Sequence, residues 1–180
     1  MTSTLEFHNT PGAGFDEPFE MLVACHGRVQ RMLDLLERLA AHLASHGNDG
    51  QARQAALDVM RYFDLAGPAH HEDEERHVFP ALMARADTAL HMLVQRLQLD
   101  HQAMTQQWRA VRADLLGVST GTFAPPREPV VADRWAAFAA LYREHIALEE
   151  SQAYPVAQPL LSAPAQAAMG EEMARRRGAR

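Results

Sequence analysis

Residues 70–80 read HHEDEERHVFP, and residues 145–155 read HIALEESQAYP. In the first, His70-x-x-x-Glu74-Glu75 is followed by Pro80; in the second, His145-x-x-x-Glu149-Glu150 is followed by Pro155, and an aromatic, Phe79 or Tyr154, precedes each proline. Residues four apart lie about one turn apart on a single helix face, so each histidine and its glutamate can approach one site. His71 and Glu75 share that spacing, but the repeat and the apolar stripe both select His70 with Glu74.

Outward from these segments, apolar residues recur at intervals of three and four, the amphipathic-helix period, and strand signals are nearly absent. The fold class is all-α. Phe19, Leu22, His26, Val29, Leu33, Leu36, Ala40 and Leu43 mark a first helix that stops at the His46-Gly47-Asn48-Asp49-Gly50 run. Met60, Phe63, Gly67, His70, Glu74, His77 and Ala81 mark a second, in which Gly67-Pro68 predicts a kink or a restart. Leu90, Val94, Leu97, His101, Met104, Trp108, Val111 and Leu115 mark a third, ending at Gly117, and Ser119 to Pro129 reads as a long surface connection. Trp135, Phe138, Tyr142, His145 and Glu149 mark a fourth, after which Pro155 and Pro159 discourage further regular helix. Four core stripes joined mostly by short turns predict an antiparallel up-down-up-down four-helix bundle over residues 15–160. Residues 1–14 are expected to be an N-terminal tail, and 161–180 a C-terminal tail with a short amphipathic helix from about Ala165 to Arg177.

Composition narrows the function classes. A chain of 180 residues, 47% hydrophobic and 22% charged, closes one sizeable core. Its net charge is −6, all 17 basic residues are arginine, and no long basic stripe precedes Arg175-Arg176-Arg177, which argues against nucleic acid as a partner. No apolar run approaches the roughly 18 residues of a membrane span. Cys25 has no second cysteine to pair with, and Met1 to Phe15 lack the basic and apolar regions of a secretory leader, so a cytoplasmic protein is expected.

Each apolar stripe is interrupted near its middle by polar residues: His26, then His70 and Glu74, then His101, then His145 and Glu149. Singly, such residues are ordinary. Jointly they would direct imidazoles and carboxylates into one core, where each unsatisfied group costs roughly a few kcal/mol. Cations answer that cost, and this donor set suits iron, manganese or zinc. Two rival sites lack their motifs. A ferritin-like centre needs Glu-x-x-His on two helices, and only Glu74 to His77 supplies one; a zinc hydrolase needs His-Glu-x-x-His, and Glu75 stands where its second histidine belongs.

Together, Cys25-His26, His70-His71-x-x-Glu74-Glu75 with Phe79-Pro80, Asp100-His101, and His145-x-x-x-Glu149-Glu150 with Pro155 resemble the hemerythrin-like proteins with the HHE cation-binding motif, over about Phe15 to Pro155. The resemblance implies a non-haem diiron centre. Two iron ions would be bridged by the helix carboxylates, with His26, His70, Glu74, His101, His145 and Glu149 as ligands. It implies binding or sensing of oxygen, nitric oxide or iron and redox state; the alternatives are an enzyme reducing peroxide or nitric oxide and an iron storage or delivery protein. The expected partners are a small diatomic ligand and, as a homodimer, a second copy of the chain. Oxygen-carrying members place two histidines four apart on the third helix, whereas Leu97 and Thr105 stand four from His101 here. Solvent or His77, three residues after Glu74, is left to take the open position. Glu75 and Glu150 either orient ligand histidines or face solvent, Cys25 reads as a buried inert thiol, and the aromatic residues read as packing.

Overall fold

The computed structural model describes residues 14–123 and 129–179, and among these it is all-helical with no strand. Helix α1 spans Pro18–His46, α2 Gly50–Asp73, α3 Phe79–Met83, α4 Thr88–Thr120, α5 Pro129–Leu148, α6 Tyr154–Leu160 and α7 Ala163–Arg176. Two π-helical turns, Glu74–Val78 and Glu149–Ala153, join α2 to α3 and α5 to α6.

The caps are local and readable. Pro18 opens α1, where its missing N–H costs nothing, and Gly47 closes it at φ 78°, donating its N–H to the Leu43 carbonyl at 3.1 Å. Asp49 then caps α2 by accepting from the Ala52 N–H at 2.9 Å, and Asp87 caps α4 through the Ala89 N–H at 2.9 Å. Helix α4 runs past Gly117 to Thr120, because the left-handed residue that ends it is Gly121, at φ 77°. The Ser119 to Pro129 connection is correspondingly shorter at both ends, with residues 124–128 outside the described residues.

At Pro155 and Pro159 the structure differs from the expectation, and at Pro68 the helix does not restart. Helix α2 continues through Pro68 without ending. Pro68 is exposed, as is Asp64 one turn before it, so the carbonyl that loses its donor can bond water. The irregularity falls instead at the turns preceding Pro80 and Pro155. A proline crowds the carbonyl four residues back, and the preceding N–H groups, Phe79 and Tyr154, bond five residues back to the Glu74 and Glu149 carbonyls. Helix resumes beyond each widened turn, and α6 carries Pro159 inside it, so these prolines do not stop the fourth stripe.

The core divides in two. One apolar cluster includes Leu33, Leu36, Phe63, Val111, Trp135 and Phe138; the other includes Leu22, Val78, Phe79, Leu97, Tyr154 and Met173. Along α1 and α4 the chain passes from the second cluster to the first, and along α2 and α5 it passes back. Helix α1 packs on α2 and α5, and α4 packs on the same two.

The last helix is docked. Ser162 caps α7, Met169 and Met173 are buried in the second cluster, and a β-carbon at Gly170 would collide with the Phe15 carbonyl. Asp73, fully buried at the end of α2, accepts hydrogen bonds from both Arg176 and Arg177, and Glu172 meets His77 Nε2 at 2.8 Å. No helix among the described residues is long and apolar enough to cross a membrane.

Candidate metal centre

Between the two apolar clusters lies a polar layer. His26 on α1, His70 on α2, His101 on α4 and His145 on α5 meet Glu74 and Glu149, the first residues of the two π-helical turns, and all six are at most 5% exposed. They form two adjacent groups that share both carboxylates: His26 and His70 with Glu74 and Glu149, and His101 and His145 with the same pair.

Each carboxylate divides its oxygens between the groups. Glu74 Oε1 is 3.3 Å from His70 Nε2, while its Oε2 is 3.3 Å from His101 Nε2. Glu149 Oε2 is 3.2 Å from His26 Nε2, while its Oε1 is 2.9 Å from His145 Nε2. Despite these approaches, Glu74 Oε2 and both Glu149 oxygens have no hydrogen-bond partner. The contacts therefore lack the geometry of proton sharing, and the buried oxygens stay unsatisfied.

Two of the imidazoles have their outer nitrogens spoken for, while the Nδ1 atoms of His70 and His145 make no hydrogen bond. His26 Nδ1 is 2.9 Å from Glu150 Oε1, and His101 Nδ1 is 2.9 Å from Glu75 Oε1. A carboxylate only accepts, so each Nδ1 carries the proton and each Nε2 points a lone pair into the layer. His145 Nδ1 faces Asp100 Oδ2 at 3.6 Å. The Nε2 atoms of His26 and His70 stand 2.9 Å apart, and those of His101 and His145 3.1 Å apart. One ring of each pair can donate to the other, which leaves the buried carboxylate oxygens between them short of partners, a deficit that a cation would fill.

The ionisation pattern has the same origin. Burial, then the like charge of Glu74, pushes the Glu149 carboxyl up to about 8. Burial works against the Glu74 charge as well, but the charge of His70 outweighs it and holds that carboxyl well below its usual range. The two carboxyls are pushed in opposite directions, Glu149 up and Glu74 down. The four buried histidines and two buried glutamates thus fit a metal site.

The neighbours complete the layer. Tyr154 donates its hydroxyl to Glu74 Oε1 and lies parallel to the His26 ring, with centroids 5.5 Å apart; Phe79 lies over His101 at the same 5.5 Å. Phe63, Trp108, Phe138 and Tyr142 form an aromatic wall on the side of the first apolar cluster. A cleft of about 420 Å³, lined by His71, Glu75, His101 and Thr105, leads from the surface to one of the histidines.

Several sequence expectations are resolved by this geometry. The structure brings His26, His70, Glu74, His101, His145 and Glu149 together, and leaves His71 outside both groups, stacked on His101 at 3.9 Å. His77 also lies outside them, turned to Glu172 of α7. Glu75 and Glu150 orient histidines. Cys25 is partly buried rather than enclosed, with the Arg28 guanidinium 3.0 Å from its sulfur and His70 beside it. Two residues escaped the sequence reading: Tyr154, whose hydroxyl is aimed into the layer, and Asp73, which anchors α7. The first had a signal, since the repeat sets a tyrosine against Phe79; the second had none.

The profile of the hemerythrin HHE cation binding domain matches residues 17–157, the span that carries every residue of the layer. An uncharacterized protein of Haemophilus influenzae is 31% identical over 165 residues, covering 92% of each chain. With the carboxylate-sharing histidine groups in place, that match over most of the chain shows that it belongs to the hemerythrin HHE cation binding domain family.

Proposed function

We propose that this chain is a non-haem diiron-binding protein that binds or senses a small diatomic molecule, oxygen or nitric oxide, or registers iron and redox state. One observation carries the reading: Glu74 and Glu149 each direct one oxygen to the His26/His70 pair and the other to the His101/His145 pair. That division would let both carboxylates serve two ions held side by side. Support for an antiparallel up-down-up-down four-helix bundle over residues 15–160 comes from the alternating direction in which α1, α2, α4 and α5 cross the layer. The lone cysteine, without a disulfide partner, supports a reducing compartment such as the cytoplasm.

His26, His70, His101 and His145 would hold the ions from the outside, with Glu75 and Glu150 orienting two of the rings and the Asp100 carboxylate near a third. Bound iron would supply redox chemistry and coordination positions open to a small molecule. Each group offers only four protein donors, which leaves room on an octahedral ion. The chain's own contribution is to orient the rings, to exclude bulk water with the aromatic wall, and to bring a surface cleft up to His101. The same open positions favour, as a second reading, an enzyme that reduces peroxide or nitric oxide.

The test is metal analysis with optical spectra on protein loaded anaerobically with ferrous iron and then exposed to air. Two irons per chain with charge-transfer bands of a bridged diferric pair are expected. Tight binding of a single zinc or manganese, or no bound iron, would reject the diiron reading. Turnover with peroxide or nitric oxide well above that of free iron would select the enzyme over the sensor.

A further inference from the structure

The internal repeat extends beyond the two quoted segments. His70, Glu74, Glu75, Phe79 and Pro80 recur 75 positions later as His145, Glu149, Glu150, Tyr154 and Pro155, and by the same offset Cys25-His26 recurs as Asp100-His101. The structure honours this correspondence. Glu75 orients His101 and Glu150 orients His26, both at 2.9 Å; Phe79 lies over His101 and Tyr154 over His26. The metal layer therefore has an approximate two-fold relation that exchanges the His26/His70 group with the His101/His145 group.

At two of these corresponding positions beside the ligands the symmetry is broken, and both substitutes sit on the His26/His70 group. Asp100 Oδ2 stands 3.6 Å from the outer nitrogen of His145, close enough for its charge to act although no hydrogen bond is made, and Arg96 holds that carboxylate in place at 2.9 Å. The corresponding position beside His70 is Cys25. His70 is only 5% exposed, its Nδ1, like that of His145, has no hydrogen-bond partner, and the group that neighbours it is the uncharged Cys25 thiol. A carboxylate behind a ligand imidazole raises its basicity, and a thiol is a much weaker acceptor. The second difference is the Tyr154 hydroxyl, which donates to Glu74 Oε1, the oxygen that faces His70. Phe79 makes no such bond to Glu149. A hydrogen bond to a donor oxygen draws electron density from it, so both differences weaken the same group.

We propose that the two groups are unequal by construction: the His101/His145 group fills first and holds its ion, and the His26/His70 group is the weaker, exchangeable half, with Cys25 and Tyr154 as its positioning residues. This rests on the two-ion reading above. Exchange at one half while the other stays loaded lets the bundle remain assembled as the outer supply of metal changes.

The experiment is an anaerobic titration of the full chain with cobalt(II) alone, followed by visible absorption, with binding stoichiometry measured in parallel. Two binding steps separated by about tenfold to a hundredfold are expected, the range typical of a lost outer partner. Cys25→Asp and Tyr154→Phe should each tighten the second step several-fold and leave the first unchanged, while Cys25→Ser, which keeps a small polar group, should stay close to the native chain. His70→Ala should abolish the second step and spare the first. Two steps of equal affinity, or a gap that neither Cys25→Asp nor Tyr154→Phe narrows, overturns the inference while leaving two-ion binding intact. Binding of fewer than two ions by the native chain overturns both. Tyr154→Phe removes a single oxygen, so it decides the matter even if Cys25→Asp fails to fold.

Discussion

Two layers of this molecule are equally buried and differ in what they need. In the apolar layer, Leu33, Leu36, Phe63, Val111, Trp135 and Phe138 are at most 2% exposed; in the polar layer, His26, His70, Glu74, His101, His145 and Glu149 are at most 5% exposed. The same helices supply both, about two to three turns apart. Contact alone stabilises the first layer, since each buried side chain contributes roughly 1.5–3 kcal/mol by leaving water. The second loses hydration on folding and, among protein groups alone, leaves Glu149 with two unsatisfied oxygens. The difference teaches that the apolar layers carry the fold and tolerate a strained slice between them, which a cation relieves.

The sharpest way to break the comparison is Glu149→Ala. Because Glu149 serves both groups, this one substitution should remove both ions, against loss of one for His70→Ala, read by metal analysis after desalting. Leu36→Ala in the apolar layer should behave oppositely, costing about 2–5 kcal/mol of stability by chemical denaturation while metal content stays at the native level. Stripping metal with a chelator should lower the melting temperature of the native chain and scarcely move that of Glu149→Ala, because only an ion bound to the folded state stabilises it.

Smaller effects sharpen the boundary of the polar layer. Arg176, then His77, holds the Glu172 carboxyl down at about 2, against 4.5 ordinarily. A carboxyl depressed in the folded state contributes fully above its unfolded value and is lost as pH falls through the folded one, so α7 should loosen between about pH 4.5 and 2. Hydrogen exchange in residues 163–176 measures it, and faster exchange there than in α4 over that window is the expected result. The smallest effect belongs to His71→Ala, which should retain both ions although His71 stacks on His101. Loss of metal there equal to that of His70→Ala would place the layer one residue out of register.

The sequence alone determined the helices and the candidate layer, because both rest on short-range periodicity. A three-four apolar step states which face of a helix is buried, and a histidine interrupting that step states which polar groups go inward with it. It also determined the choice of His70 over His71, since the repeat with His145 sets the register. Only the tertiary structure decided what lies across from what. It turned His77 to Glu172, assigned Glu75 and Glu150 to histidines on other helices, aimed Tyr154 at Glu74, and docked α7 on the buried Asp73. Those partners are distant in sequence, and no local pattern encodes them. Pro155 and Pro159 were misjudged for a related reason. Whether Pro68, Pro155 or Pro159 ends a helix depends on whether the freed carbonyl finds water or a widened turn, which the surrounding fold decides.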